Sequence, residues 1–183
     1  MDSINDQLIA AAKAGDTTKV AALLLHPKCD ARSKNRDGET ALMLAAVNGH
    51  DACLQLLLPL SDPLVKDDYS WTALIYAASN GHVRCVELLI PVSDPLAENI
   101  SGLTALMFAA GEGSDASVRL LLPVSEVLAK NHYEKTASEI ASQRGHTQCA
   151  KLIEAYALAQ SEKLALDSII PAGAPSKRSS LRV

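Results

Sequence analysis

The sequence predicts an all-α solenoid in which repeated pairs of short helices, joined by short hairpin loops, stack in single file. Three observations predict it. One motif recurs at a constant interval of 32 positions, alanine and leucine supply nearly a third of the 183 residues, and aromatic residues make up only 3 %. A core of small aliphatic side chains suits closely packed helices better than a β-sandwich or barrel. Because one helix pair cannot bury its apolar face alone, the pairs must stack on each other.

The repeat is carried by one motif in three clear copies. The copies read GETALMLAA from residue 38, SWTALIYAA from residue 70 and GLTALMFAA from residue 102. A weaker copy starts at Thr136, and an earlier one starts at Leu8, the counterpart of Leu42 at a slightly wider spacing. The motif therefore predicts one repeat domain over residues 1–160 with five units. Their expected bounds are 1–34, 35–66, 67–98, 99–130 and 131–160.

Each unit is predicted to form a turn followed by two helices. Thr40 stands before an alanine-rich stretch, where its hydroxyl can cap the first helix. Gly49 follows it, at a position suited to end that helix in the left-handed conformation. The second helix is predicted over residues 52–58 and stops at Pro59. The same residue types recur in later units at Thr72, Thr104 and Thr136, at Gly81, Gly113 and Gly145, and at Pro91 and Pro123.

The two end units differ from the inner ones in the way that the ends of a solenoid require. Outer faces of terminal units meet water, and polar residues such as Lys19 and Ser138 stand there in place of apolar ones. We therefore expect a complete array. Residues 161–170 are predicted to continue the last helix as a C-terminal extension. Residues 171–183, rich in proline, serine and basic residues, are predicted to be a disordered basic tail.

The combined pattern, x-G-x-T-A-L-M-x-A-A-x-x-G-H-x-x-C-V-x-L-L, resembles the ankyrin repeat over most of the chain. The resemblance implies a helical solenoid that binds other proteins without catalysis. Two departures stand out. Ala41 and Met43 replace the family's usual proline and histidine, so apolar packing is expected where the family has a Thr–His hydrogen bond. Ser70 and Glu134 replace a hairpin glycine, which costs about 1 kcal/mol each if φ is positive there.

Charge and hydropathy narrow the functional classes further. Residues 1–170 carry 14 Lys and Arg against 21 Asp and Glu, a net charge of −7, which argues against nucleic-acid binding. No uninterrupted apolar run is long enough to span a membrane. The N-terminal residues lack the features of a signal peptide. We therefore expect a cytoplasmic protein in a reducing compartment; export by a route that needs no signal peptide stays open.

The four cysteines have a structural interpretation and one functional alternative. Cys53, Cys85 and Cys149 occupy the same position of the second helix in three units. Neighbouring helices pack about 8–10 Å apart, too far for a disulfide that needs Cα atoms within about 7 Å. Cys29 lies in the first loop. The alternative to a binding module is a redox or thiol-active protein that uses the Cys29 thiol.

The sequence predicts no enzyme, no cofactor and no metal site. It holds no nucleophile elbow, phosphate-binding loop or zinc-ligand spacing. His50, His82 and His146 share one position after the helix-ending glycine, where a structural role with the backbone is expected. Asp62 and Asp94 also recur at one position, where turn capping is expected.

The resemblance to the ankyrin repeat implies a binding surface on the hairpin tips and on the exposed end of each first helix, along the concave side. Three of the six aromatic residues fall on these tips, and Ile100 lies between them. Trp71 is either an interface anchor or internal packing. The predicted partner is another protein, and the chain is expected to act as an adaptor, an inhibitor or a scaffold. Without a partner it is expected to be monomeric. The predicted partner-binding residues are Arg36, Asp37, Glu39, Asn48, Lys66, Asp68, Tyr69, Trp71, Asn80, Ile100, Leu103, Glu112, His132, Tyr133, Lys135 and Arg144.

Overall fold

The computed structural model describes residues 3–169, and side chains through residue 166. Within these residues it contains ten α-helices and no β-strand, which confirms the predicted all-α class. The helices are α1 (Ile4–Ala14), α2 (Thr17–Leu24), α3 (Ala41–Val47), α4 (Asp51–Leu57), α5 (Ala73–Ser79), α6 (Val83–Leu89), α7 (Ala105–Glu112), α8 (Asp115–Leu121), α9 (Ala137–Gln143) and α10 (Thr147–Ile169).

The helices stack in two parallel rows. Each first helix packs on the first helix of the next unit, in the order α1, α3, α5, α7, α9. The second helices form the other row, in the order α2, α4, α6, α8, α10. The predicted single-file solenoid is therefore confirmed, and its core is a continuous seam between the two rows.

The local signals act as the sequence predicts. The Thr40 hydroxyl accepts a hydrogen bond from the Met43 backbone N–H at 3.3 Å, and Thr72, Thr104 and Thr136 cap their helices in the same way. Gly49 has a φ of 70°, in the left-handed region that ends a helix. Met43 and its counterparts Ile75 and Met107 are almost completely buried, so apolar packing does replace the polar contact expected from the resemblance.

The ends of the second helices differ in detail from the prediction. Helix α6 ends at Leu89, two residues before Pro91. Pro91 itself lies within a short 3-10 turn, Ile90–Val92, that directly follows the helix. Pro123 sits in the matching turn, Leu122–Val124, after α8. Proline lacks a backbone N–H but keeps a helical φ, so it fits the first positions of such a turn.

Helix α10 runs through Ile169 and so continues well past the end of the fifth unit. The predicted basic tail, residues 171–183, lies outside the described residues. The bounds assigned to the five units remain our proposal, since the helices themselves leave the exact cut within each loop open.

Candidate functional site

Each hairpin is held in shape by one side chain at its base. The Asp67 carboxylate oxygen Oδ1 accepts hydrogen bonds from the backbone N–H of Tyr69 at 2.9 Å and of Trp71 at 2.8 Å. The sequence analysis missed this role, although the position recurs in register with the motif. Asn35, Asn99 and Asn131 make the same pair of bonds in the other hairpins.

Backbone hydrogen bonds then join the hairpins to one another. The Asp68 N–H donates to the Asp37 carbonyl at 3.4 Å, and the Ile100 N–H donates to the Tyr69 carbonyl at 3.2 Å. The His132 N–H donates to the Ser101 carbonyl at 3.1 Å. We call this run of bonds the tip ladder. It places four hairpins side by side at fixed spacing, so their tips form one continuous edge.

All sixteen predicted partner-binding residues are accessible, but not equally so. Four of them stand at one position of the repeat and are half-buried: Glu39, Trp71, Leu103 and Lys135. We call these four the wall row. The remaining twelve are exposed: Arg36, Asp37, Asn48, Lys66, Asp68, Tyr69, Asn80, Ile100, Glu112, His132, Tyr133 and Arg144. Their role in binding remains a prediction.

Trp71 lies in a small aromatic cluster at the centre of the wall row. Its ring centroid is 4.9 Å from that of Tyr76 and 4.6 Å from that of Phe108 in the next unit, with tilted planes. Such pairs are worth about 0.5–1.5 kcal/mol beyond the burial of area. Trp71 therefore packs between units, and because it is only half-buried part of its surface is left exposed.

A hydrogen-bond network anchors the acidic end of the wall row. The Tyr76 hydroxyl lies 2.5 Å from Asp67 Oδ2 and 3.3 Å from Glu39 Oε1, and the Asn35 amide donates to Glu39 Oε2 at 2.7 Å. Burial, and then these two carboxylates, raise the pKa of Tyr76 above its usual range. The phenol therefore stays protonated and donates its one proton to the nearer acceptor, Asp67 Oδ2, with Glu39 Oε1 as a more distant one.

The basic end of the wall row borders a pocket between the fourth and fifth units. Its volume is about 320 Å³, and its apolar part comes from Leu103, Tyr133 and Ile140. Lys135 and Arg144 stand at its rim. Arg144 Nη1 is already engaged, at 3.2 Å from both the Gly111 carbonyl and Glu112 Oε1. Asn131 and Gln143 complete the lining.

The helical cysteines are structural, as expected. All four cysteines are free thiols, and Cys53, Cys85 and Cys149 are buried. The Cys149 thiol donates to Asp115 Oδ1 at 2.9 Å, and burial, reinforced by this carboxylate, raises the pKa of Cys149 to about 12. Burial and then Asp51 raise the pKa of Cys85 to about 11.

Cys29 has a structural explanation that the sequence analysis missed. It stands in register with three serines that share one place in their loops, Ser61, Ser93 and Ser125. Burial, and then the neighbouring Asp30, raise the pKa of Cys29. A reactive thiol needs a lowered pKa, and the shift at Cys29 runs in the opposite direction.

The recurring histidines and loop aspartates also serve the scaffold. His50 Nε2 lies 3.1 Å from the Lys13 carbonyl, and His82 Nε2 lies 3.1 Å from the Val47 carbonyl of the preceding unit. Asp62 Oδ1 accepts the Leu64 N–H at 3.0 Å, and Asp94 makes the matching bond to Leu96. Structural roles are therefore confirmed for both sets.

In residues 3–169, no group of three or more His, Cys, Asp or Glu side chains could hold a metal ion. In the same range, no helix combines the length and the apolar character needed to cross a membrane.

Comparison with known proteins is consistent with this architecture. A family model described as ankyrin repeats (3 copies) matches residues 8–99, which is half of the chain. A search of curated proteins found no matching relative. Ankyrin repeats generally mediate protein–protein interactions and are typically non-catalytic. The motif in register, the two rows of stacked helices and the matching model lead to one conclusion: this chain belongs to the ankyrin-repeat family.

Proposed function

We propose that this protein is a non-catalytic binding module that holds a partner protein along its hairpin tips and wall row. The observation that carries the proposal is a run of exposed apolar side chains on three consecutive tips. Tyr69, Ile100 and Tyr133 leave 59, 60 and 70 % of their surface exposed. Aromatic and aliphatic residues placed in this way are typical anchors of protein interfaces.

The rigidity of the edge supports the same proposal. The tip ladder and the buried bases of the hairpins hold the three apolar tips in place before any partner arrives. Binding then orders fewer groups, so less conformational entropy is lost. An adaptor, an inhibitor or a scaffold would each use such a surface, and we propose that the partner is another protein bound to a monomer.

The free thiols support a proposed location. Four unpaired cysteines are expected in a reducing compartment such as the cytoplasm, because thiols of secreted proteins usually pair. We therefore propose that the protein works there.

The experiment that tests the proposed function compares two triple variants as baits. The first carries Tyr69→Ser, Ile100→Ser and Tyr133→Ser; Trp71 is left intact because its loss would also remove packing between units. The matched control carries Leu25→Ser, Leu60→Ser and Leu128→Ser, which are also exposed but follow second helices. We expect quantitative mass spectrometry to find proteins captured by wild type and by the control but lost with the tip variant. Equal capture by all three baits contradicts the proposal.

A further inference from the structure

The pocket between the fourth and fifth units differs chemically from the rest of the chain. The protein is acidic overall, with a net charge of −4. The residues that line this pocket include two cations, Lys135 and Arg144, and no carboxylate. A local positive rim on an acidic molecule attracts a group of opposite charge and fixes where that group docks.

Lys135 is the unsatisfied member of this rim. The residue is half-buried, and within residues 3–169 its ammonium group makes no ion pair or hydrogen bond. Glu139 is near enough for Lys135 to help lower the pKa of that carboxylate, but Glu139 is held first by the backbone N–H of Thr136, at 2.9 Å. An ammonium group without a close partner gains when a carboxylate is brought to it.

The apolar part of the pocket limits the kind of ligand that can bring a carboxylate to Lys135. Leu103, Tyr133 and Ile140 line a volume of about 320 Å³, at the lower end of the range for binding pockets, about 300–1,000 Å³. This space suits one bulky side chain rather than a cofactor. Tyr133 and the neighbouring tip residue Ile100 extend the apolar surface beyond the pocket, so a longer chain finds more contact area than a small acid does.

We propose that this pocket anchors a partner protein through a peptide segment that inserts one bulky apolar side chain and sets an adjacent Asp or Glu carboxylate on Lys135. The inference rests on the proposed function, because it names the chemistry recognised at one point of the same surface. The chain's own C-terminal segment is a poor match, since residues 171–183 carry three basic residues and no acidic one.

A random peptide library provides the first test. Dodecapeptides displayed with both ends blocked are selected on the full-length wild type, on Lys135→Glu and on Lys130→Glu. Lys130 is the matched control, because it lies in the same hairpin, does not line the pocket and is paired with Glu134 at 3.3 Å. We expect wild type and Lys130→Glu to select peptides with Asp or Glu next to Leu, Phe or Trp. Lys135→Glu is expected to select basic residues there instead.

Affinity of one selected peptide provides the second test. Its Glu→Gln version should bind wild type about tenfold more weakly, and Lys135→Glu should weaken the original peptide at least as much. With Lys135→Glu, the Glu→Gln peptide should bind more tightly than the original peptide, because the substitution sets two carboxylates against each other and Gln removes one of them. Phenylpropionate, which has the apolar group and the acid but no chain, should compete only at far higher concentration.

The outcomes separate this inference from the proposed function. If selected peptides lose affinity with Tyr69→Ser but not with Tyr133→Ser or Lys135→Glu, the tips bind proteins and the pocket proposal is wrong. If phenylpropionate binds as tightly as the peptide, the occupant is a small acid and the proposal is wrong as well. If neither wild type nor Lys130→Glu enriches any peptide, the pocket proposal is wrong, whereas the proposed function fails only if the three baits also capture the same proteins. Thermal unfolding followed by circular dichroism checks that each variant is folded.

Discussion

His82 packs directly against Gly49 of the preceding unit. A Cβ atom built on Gly49 would stand 2.6 Å from His82 Nδ1, while Nε2 of the same ring donates to the Val47 carbonyl. His50 and His146 lie in the same way against Gly15 and Gly113. The junction of the third and fourth units lacks this contact, because Ser114 occupies the histidine position and nothing lies within 4 Å of a Cβ on Gly81.

This difference gives a matched pair of substitutions. Gly81→Ala should lower the free energy of unfolding by about 1 kcal/mol, because φ is 68° there and only backbone strain opposes the methyl group. Gly49→Ala has nearly the same φ but also forces the His82 ring aside, which adds about 1–3 kcal/mol. Urea unfolding of both variants measures the difference. Equal losses would mean that the histidine contact contributes nothing.

Replacing Ser70 by glycine, the residue that two other hairpins have at this position, should stabilise the protein. Ser70 has a φ of 61°, and the equivalent Gly38 and Gly102 have φ of 76° and 71°. Ser70→Gly should therefore raise the free energy of unfolding by about 1 kcal/mol. Ser101→Gly, one hairpin further and outside the positive-φ region, is the control and should lower it slightly, because glycine adds freedom to the unfolded chain. A loss of stability in Ser70→Gly would contradict the strain at this position.

Ser93 should tolerate loss of its hydroxyl. Ser61, Ser93 and Ser125 each bury Oγ without a protein hydrogen-bond partner, so Ser93→Ala should leave the free energy of unfolding unchanged or raise it by up to about 1 kcal/mol. Ser117 is the control. Its buried Oγ lies 2.9 Å from the Ser114 hydroxyl, which donates to it, and Ser117→Ala should cost about 1 kcal/mol. Chemical denaturation of both variants checks the opposite signs.

Alkaline pH should weaken the fold through Cys149. Its folded pKa, about 12, lies above the unfolded value of 9.0, so the folded chain holds this proton more tightly. The resulting stability is complete below about pH 9 and declines as the pH rises from there towards 12. Cys149→Ser, which copies the serine of the fourth unit, should show a shallower alkaline loss in urea midpoints. Identical pH profiles for the two proteins would rule out this contribution.

Much of the fold was predictable because each unit repeats the same local signals. Threonine caps and left-handed glycines depend on neighbours within one unit, and the apolar positions are buried because every unit stacks on the next in the same way. The single register of the repeat therefore predicts them all. The strain at Ser70 followed from the same register. Asp67 and Cys29 also stand in this register, but register alone does not say which backbone groups a loop side chain meets, so their roles appear only in the structure.

The candidate site was less predictable, for a physical reason. The packing of Trp71 on Phe108 and the pocket beside Lys135 both depend on how one unit leans on the next. Sequence spacing predicts which residues share a row. It does not predict how far an aromatic side chain extends from one unit onto the next. Trp71 therefore stayed ambiguous between anchor and packing, and in the structure it serves as packing with one part left accessible.

The tip ladder is made only of main-chain atoms, so at its donor positions, Asp68, Ile100 and His132, every side chain other than proline is compatible with the bonds. Chemical character at these positions is free to change by point mutation while the frame beneath stays the same. Duplication of one whole unit would also lengthen the edge by one step, in the order in which the gene encodes it. The binding surface of such a molecule can therefore change its chemistry or become longer while the fold stays the same.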